Sequence, residues 1–282
     1  MKTSAAVVET LSPTSHSSVG VELSVVVPET TVTTSPAGRV ADPFLFQRRW
    51  PIFWPIAFLL AASGLIRWAG LDLLVSELFY DRPISCWPYE VAQPWLWIYR
   101  QGTIPSFVLG IGGAIVALFG RWILPSGELR RSKTIRRAGL FLAVFLAVGP
   151  GLIVNVGFKH AWGRPRPNQC VEFNGEKSFL PVGTWATDPV RNSSFPSGHA
   201  AVAFYLMAPG FVMGQRRPRL TAACFLAGTF YGLGMGLTRV VQGGHFVSDV
   251  LWAGAMVYLT GTVLAWLILH NDERTYPIVH DL

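Results

Sequence analysis

Six apolar runs set the terms for this chain: about residues 51–66, 103–120, 138–158, 199–214, 220–237 and 247–269. The last reads VSDVLWAGAMVYLTGTVLAWLIL, which at about 1.5 Å per helical residue is long enough to cross roughly 30 Å of hydrocarbon. In lipid every backbone amide must be paired within the protein, so the spanning choices are helices or closed barrels. Long unbroken apolar runs without strict alternation select helices. The predicted fold is therefore all-α, a polytopic membrane bundle of six transmembrane helices. The first and fourth runs are short and would span only by recruiting flanking residues or thinning the bilayer.

Composition agrees, with 51% of 282 residues hydrophobic and only 14% charged. The net charge of +7 does not point to nucleic acid, because the basic residues form short clusters between apolar runs and no continuous stripe. They are read as topology signals. With the N-terminus inside, 14 Lys and Arg fall on the cytoplasmic side and 9 on the outer side, as the positive-inside rule requires. Both termini are then cytoplasmic, and in a bacterial inner membrane the outer face is periplasmic. Residues 1–47, rich in Thr, Ser, Val and Pro, cannot bury a core and are expected to be a disordered tail. Residues 48–270 form the membrane domain, and 271–282 a short cytoplasmic tail.

Two long outer connections, about 67–102 and 159–198, contrast with short basic inner turns, and long loops between spans often carry function. Leu71–Tyr80 has the pattern of an amphipathic helix, either lying on the membrane surface or packed on the end of the bundle. Cys86 and Cys170 both fall in these loops, where an oxidising compartment would permit a disulfide, while Cys224 lies in the fifth run.

Three groups of ionisable residues sit at helix ends, all on the predicted outer side. In the first, Lys159-His160-Ala161-Trp162-Gly163-Arg164-Pro165-Arg166-Pro167, Gly and Pro turn the chain so that Arg166 folds back toward Lys159 and the two cations can hold a phosphate. The same pair would equally anchor a helix to lipid headgroups. Arg164 adds a further cation that could reach a second phosphate or a headgroup. The second, Pro196-Ser197-Gly198-His199, offers a hydroxyl, free amides at a helix start and a proton donor. A plain helix N-cap at Ser197 is the alternative. In the third, Arg239 precedes His245 and Asp249. Four residues apart, the last two can pair, so that the carboxylate fixes the imidazole tautomer and frees its other nitrogen to attack phosphorus. A structural ion pair is the competing reading, but carboxylates near membrane depth are costly and usually functional.

Lys159 with six residues before Arg166-Pro167, then Pro196-Ser197-Gly198-His199, then Arg239 with five residues before His245 and three more before Asp249, together closely resemble the three-part signature of the type 2 phosphatidic-acid phosphatase superfamily over about residues 50–270. The resemblance implies a membrane lipid phosphate phosphatase. His245 would be the nucleophile, forming a phosphohistidine; Asp249 would orient it and His199 would protonate the leaving group. Lys159, Arg166, Ser197, Gly198 and Arg239 would hold the phosphate. Thr238 stands where the family often has Ser, and the hydroxyl is kept. No cofactor is implied, and no cluster of carboxylates suits a divalent metal.

The expected partners are membrane lipids and a lipid phosphate substrate: phosphatidic acid, phosphatidylglycerol phosphate, undecaprenyl pyrophosphate or lipid A. Large outer loops and the extra Arg164 lean toward lipid A or another envelope lipid. Two other readings are a phosphotransferase of the same fold and a proton-coupled lipid transporter. The transporter would need charged pairs in mid-span and an internal repeat, and the helix centres carry neither.

Overall fold

A computed structural model describes residues 52–123, 129–186, 194–214 and 217–269. The expected tails over 1–47 and 271–282 lie outside these described residues. The described residues are helical, with isolated β-bridges in the outer loops and no strand.

Helix α1 (Phe53–Ala69) ends at Gly70, whose left-handed φ of 63° lets its amide bond back to the Ile66 carbonyl, a conformation that glycine adopts without steric cost. The chain bends by 66° into α2 (Leu71–Glu77). Of the two placements expected for this segment, packing on the bundle is the one observed, since Asp72 and Ser76 are buried. Helices α3 (Trp95–Gln101) and α4 (Ile104–Ile123) run on almost continuously.

Helix α5 (Leu129–Leu146) continues as a π-helix over Ala147–Phe158. Pro150 lies inside this stretch; it has no N–H to give an α-helical bond, and widened turns absorb such interruptions. The Asn155 side-chain amide donates to the Pro150 carbonyl at 2.7 Å. One α-turn, Lys159–Trp162, then stops at Gly163, with φ 68°. Helices α6 (Gly198–Met213, with a 3₁₀ turn at Tyr205–Met207), α7 (Pro218–Val241) and α8 (Val247–Leu269) complete the set.

Four helical stretches are long and apolar enough to cross a membrane, Trp95–Trp122, Arg131–Phe158, Pro218–Val241 and Val247–Leu269, and the bent α1–α2 pair makes a fifth if counted as one span. The sequence expectation of six is thus met by four or five on length and composition, because α6 is shorter than a span.

Lipid removes most of the hydrophobic drive for helices to associate, so close packing and small residues must hold such a bundle. Helices α4 and α5 approach at Gly113 and Gly139, where a Cβ on Gly139 would strike the Gly113 carbonyl. Gly232 and Gly254 make room for Phe204. Phe141, Phe145, Tyr205 and Phe211 interlock across the centre, and the Tyr205 hydroxyl donates to the Leu142 carbonyl at 2.8 Å. Outward, Phe53, Trp54, Trp68, Ile111, Leu118 and Phe230 are exposed, an apolar rim suited to lipid.

At the end of the bundle that carries the three groups of ionisable residues, the two long loops pack on each other through Tyr80, Trp87, Cys170, Phe173 and Phe246. Trp87 lies against Gly243, whose φ of 66° and lack of a Cβ are both needed there. This aromatic cap fixes the turn that precedes α8.

Candidate active site

The helix ends bring together five of the predicted residues. Arg239, His245, Lys159 and Arg166 all bear electrostatically on His199. Lys159 in turn feels Arg166 and Arg239. Three cations from two segments therefore act on His199, and two of them, Arg166 and Arg239, on His245 as well.

The turn after α7 builds this arrangement. The Arg239 carbonyl accepts the amides of Gly244, at 2.9 Å, and His245, at 3.3 Å, curling the chain so that His245 lies over the last turn of α7. Gly244 leaves room for the Arg239 guanidinium, which a Cβ there would displace. The guanidinium lies 4.3 Å from the centre of the Tyr99 ring, which itself stacks at 4.7 Å on His199. Its Nη1 donates to Gln242 Oε1 at 2.5 Å. Tyr99 and Gln242 are thus contacts of two predicted site residues that no spacing in the sequence announced.

His245 and Asp249 are brought together, although not as two residues of one helix: α8 begins only at Val247. Nδ1 of His245 lies 3.6 Å from Asp249 Oδ2. The Ser194 hydroxyl stands between them, donating to Asp249 Oδ2 at 2.5 Å and lying 3.4 Å from His245 Nδ1. Asp249 Oδ2 also accepts the Phe246 amide at 2.9 Å, the reciprocal half of a capping box at the helix start. With Nδ1 occupied in this way, Nε2 is the nitrogen left for chemistry.

Burial holds the His245 imidazole down to about 4, with Asp249 pulling the other way and Arg239 and Arg166 reinforcing burial. The ring is therefore neutral, and nucleophilic, at physiological pH. Burial, then Arg166 and Arg239, also lower the Lys159 pKa from its ordinary value.

The phosphate-holding candidates share one property. Arg166 Nε, Ser197 Oγ and Arg239 Nε are buried without a hydrogen-bond partner. A buried polar atom left alone costs free energy comparable to a lost hydrogen bond, so three at one site form a set of donors able to receive an anion. Ser197 does precede α6, but its hydroxyl makes no capping bond, which removes the plain N-cap reading. Gly198 is needed where it stands, because a Cβ would strike the Asn155 side chain.

Arg164 departs from expectation. It does not reach outward toward a second phosphate or headgroup: it is fully buried, bonded to Asp249 Oδ1 at 2.5 Å, Asp72 Oδ2 at 2.8 Å, Ser248 Oγ at 2.8 Å and the Leu180 carbonyl at 2.8 Å. Burial opposes its charge, yet Asp249 and Asp72 outweigh burial and hold its pKa above the usual arginine value. The Cys86–Cys170 disulfide is likewise absent, both thiols being free. Cys170 is turned inward, its Sγ 3.2 Å from the Arg166 carbonyl, and burial raises it to about 12. Cys86 is tied instead to Asp81 by a two-bond bridge. Among the described residues no three His, Cys, Asp or Glu converge as metal ligands.

Residues 138–274 match the family model of the PAP2 superfamily. A lipid A 4'-phosphatase of Francisella tularensis subsp. novicida (strain U112) is 42% identical over 138 residues, 49% of this chain and 61% of its own. A lipid A 4'-phosphatase of Rhizobium leguminosarum is 37% identical over 114 residues, 40% of this chain and 48% of its own. The chain thus spans about half the length of the curated relatives it matches. The crystal structure of a transmembrane PAP2-type phosphatidylglycerolphosphate phosphatase from Bacillus subtilis superposes with a TM-score of 0.41 at 18% identity, over 80% of this chain and 98% of that one.

Proposed function

We propose that the chain, whose residues 138–274 match the family model of the PAP2 superfamily, is an integral membrane phosphatase of that family that removes a phosphate monoester or pyrophosphate group from a lipid through a phosphohistidine on His245. The observation that carries this reading is the pairing of a neutral, buried imidazole held at Nδ1 with a ring of cations and unpartnered donors, Lys159, Arg166, Ser197 and Arg239.

Two steps follow. His245 Nε2 forms a bond to phosphorus as the ester or anhydride oxygen departs with its electron pair and takes a proton from His199. Developing positive charge on the ring is met by Asp249, while Lys159, Arg166 and Arg239 neutralise the three non-bridging oxygens, with Ser197 and the Gly198 backbone beside them. His199, now a base, deprotonates a water that attacks phosphorus; the N–P bond breaks, its pair returns to Nε2, and inorganic phosphate leaves. Cations carry the electrostatic work that a divalent metal does elsewhere, so the reaction is proposed to need neither metal nor cofactor.

The substrate is proposed to be lipid A, in keeping with the two relatives named above; phosphatidylglycerol phosphate, phosphatidic acid and undecaprenyl pyrophosphate complete the set. A site at the rim of the bundle lets acyl chains stay in lipid while the headgroup enters. The bent α1–α2 pair and the short α6 are read as the two crossings that complete six, with residues 48–270 as the catalytic domain between cytoplasmic tails. The site then faces the periplasm of a bacterial inner membrane.

Phosphate release by detergent-purified protein in EDTA, from a panel of these four lipids, tests the reading. Wild-type release that His245→Ala abolishes is expected. Release that survives His245→Ala, or that requires added divalent metal, would overturn it.

A further inference from the structure

Asp72 belongs to none of the three groups of ionisable residues recognised in the sequence, yet its side chain is at the centre of the most heavily bonded buried cluster beside His245. From α2 it accepts Arg164 Nη2 at 2.8 Å, the Ser248 hydroxyl at 2.7 Å and the Ser248 amide at 2.9 Å. Arg164, in turn, bridges Asp72 and Asp249. Three distant parts of the chain, the bent first hairpin, the turn after Gly163 and the start of α8, are clamped together by one guanidinium.

The charge balance of this cluster is what gives it meaning. One buried cation faces two buried carboxylates, so the cluster itself carries an excess negative charge, while Arg166 and Arg239 act on the neutral imidazole from outside it. A structural ion pair would need only one carboxylate, and a surplus buried charge is expensive. The surplus becomes useful when His245 bonds to phosphorus and its ring turns positive. Resting on the reading of His245 as nucleophile, we propose that Asp72 and Arg164 are positioning residues that keep Asp249 fixed and negatively charged toward His245. Asp72 takes its share of the Arg164 charge, which would otherwise be spent wholly on Asp249, and Arg164 prevents the Asp249 carboxylate from rotating off the Ser194–His245 side.

Asp72 acts at a distance from the phosphate cradle, so its loss falls on turnover and spares binding. Asp72→Asn keeps the shape and an acceptor for the Ser248 amide but removes the charge. It is expected to lower kcat about 10- to 100-fold, with KM for the lipid within about twofold of wild type. Because Asp72 works through Asp249, the same substitution placed on Asp249→Asn should cost little more than Asp249→Asn alone. A merely structural role predicts the opposite pattern, with the loss tracking the folded fraction and the two substitutions multiplying. If Asp72→Asn protein does not accumulate in the membrane, Ser248→Ala removes the hydroxyl bridging Arg164 and Asp72, and should give a severalfold loss in kcat that also vanishes on the Asp249→Asn background. Multiplicative losses, or an unchanged kcat in a folded variant, would overturn the inference. His245→Ala is assayed in parallel: an active His245→Ala would sink the nucleophile reading itself, whereas an inactive one beside a fully active Asp72→Asn sinks only the proposal about Asp72.

Discussion

Two halves of the site, only a few residues apart in sequence, are finished to very different degrees. Around Asp249, every oxygen is taken: Arg164 holds Oδ1, and Ser194 and the Phe246 amide hold Oδ2. Around Lys159, Arg166, Ser197 and Arg239, three polar atoms are buried with nothing to bond. Among the described residues these are three of the four buried side-chain polar atoms without a partner, the fourth being Ser76 Oγ in α2. The first half is an anchor with its hydrogen bonds made, and the second a set of donors able to meet an anion. On the proposed reading, a histidine held between the two is pre-organised for attack on a phosphoryl group, since little reorganisation remains to be done in the transition state.

Breaking the two halves should give distinguishable losses. Deleting the nucleophile with His245→Ala is expected to cost on the order of 10⁴-fold or more in kcat, measured as phosphate release per folded enzyme. On the open side, Arg239→Ala should lower kcat/KM by about 10²–10³-fold through both constants, because the cation meets substrate and transition state alike. A subtler perturbation of the same cation is Gly244→Ala, whose methyl would displace the Arg239 guanidinium. A loss of about tenfold in kcat/KM is expected there, and no loss would show that the guanidinium position does not matter.

The pH profile separates the halves again. His245 is held down to about 4, mainly by burial, so the acid limb of kcat should lie near that value, where the nucleophile is protonated, while loss of the His199 proton sets the alkaline limb. The Lys159 pKa is lowered, by burial first, so it sheds its proton before an ordinary lysine would. KM should therefore rise on the alkaline side ahead of the ordinary lysine value, with kcat less affected. An acid limb at the ordinary histidine value would break the comparison between anchor and cradle.

The cradle was legible in the sequence and the anchor largely was not. Lys159, Arg166, Pro196-Ser197-Gly198-His199, Arg239, His245 and Asp249 are recognisable because their spacing within short stretches is what the chemistry requires. Asp72 and Ser194 become neighbours of Asp249 only through contacts 55 to 176 residues apart, which no local pattern encodes. LDLLVSELFY carries two carboxylates, Asp72 and Glu77, and only the placement of α2 shows that Asp72 is the buried one. Arg164 is hidden for the same reason: beside Arg166 it looks like another phosphate ligand, and only its buried bonds to Asp72 and Asp249 set it apart. The spans were legible from hydropathy, while the bend at Gly70, the π-helical stretch around Pro150 and the shortness of α6 depend on packing that apolar runs do not report.

The account turns on a covalent bond between His245 and phosphorus, and trapping that bond tests it most directly. Wild-type and His199→Ala protein would be mixed with a radiolabelled lipid phosphate that wild type hydrolyses, quenched in alkali during turnover, and digested to locate the label. The account predicts an acid-labile, alkali-stable phosphoryl group on His245 in both, absent from His245→Ala protein. Turnover with no protein-bound phosphoryl group, or with the label on another residue, would contradict it.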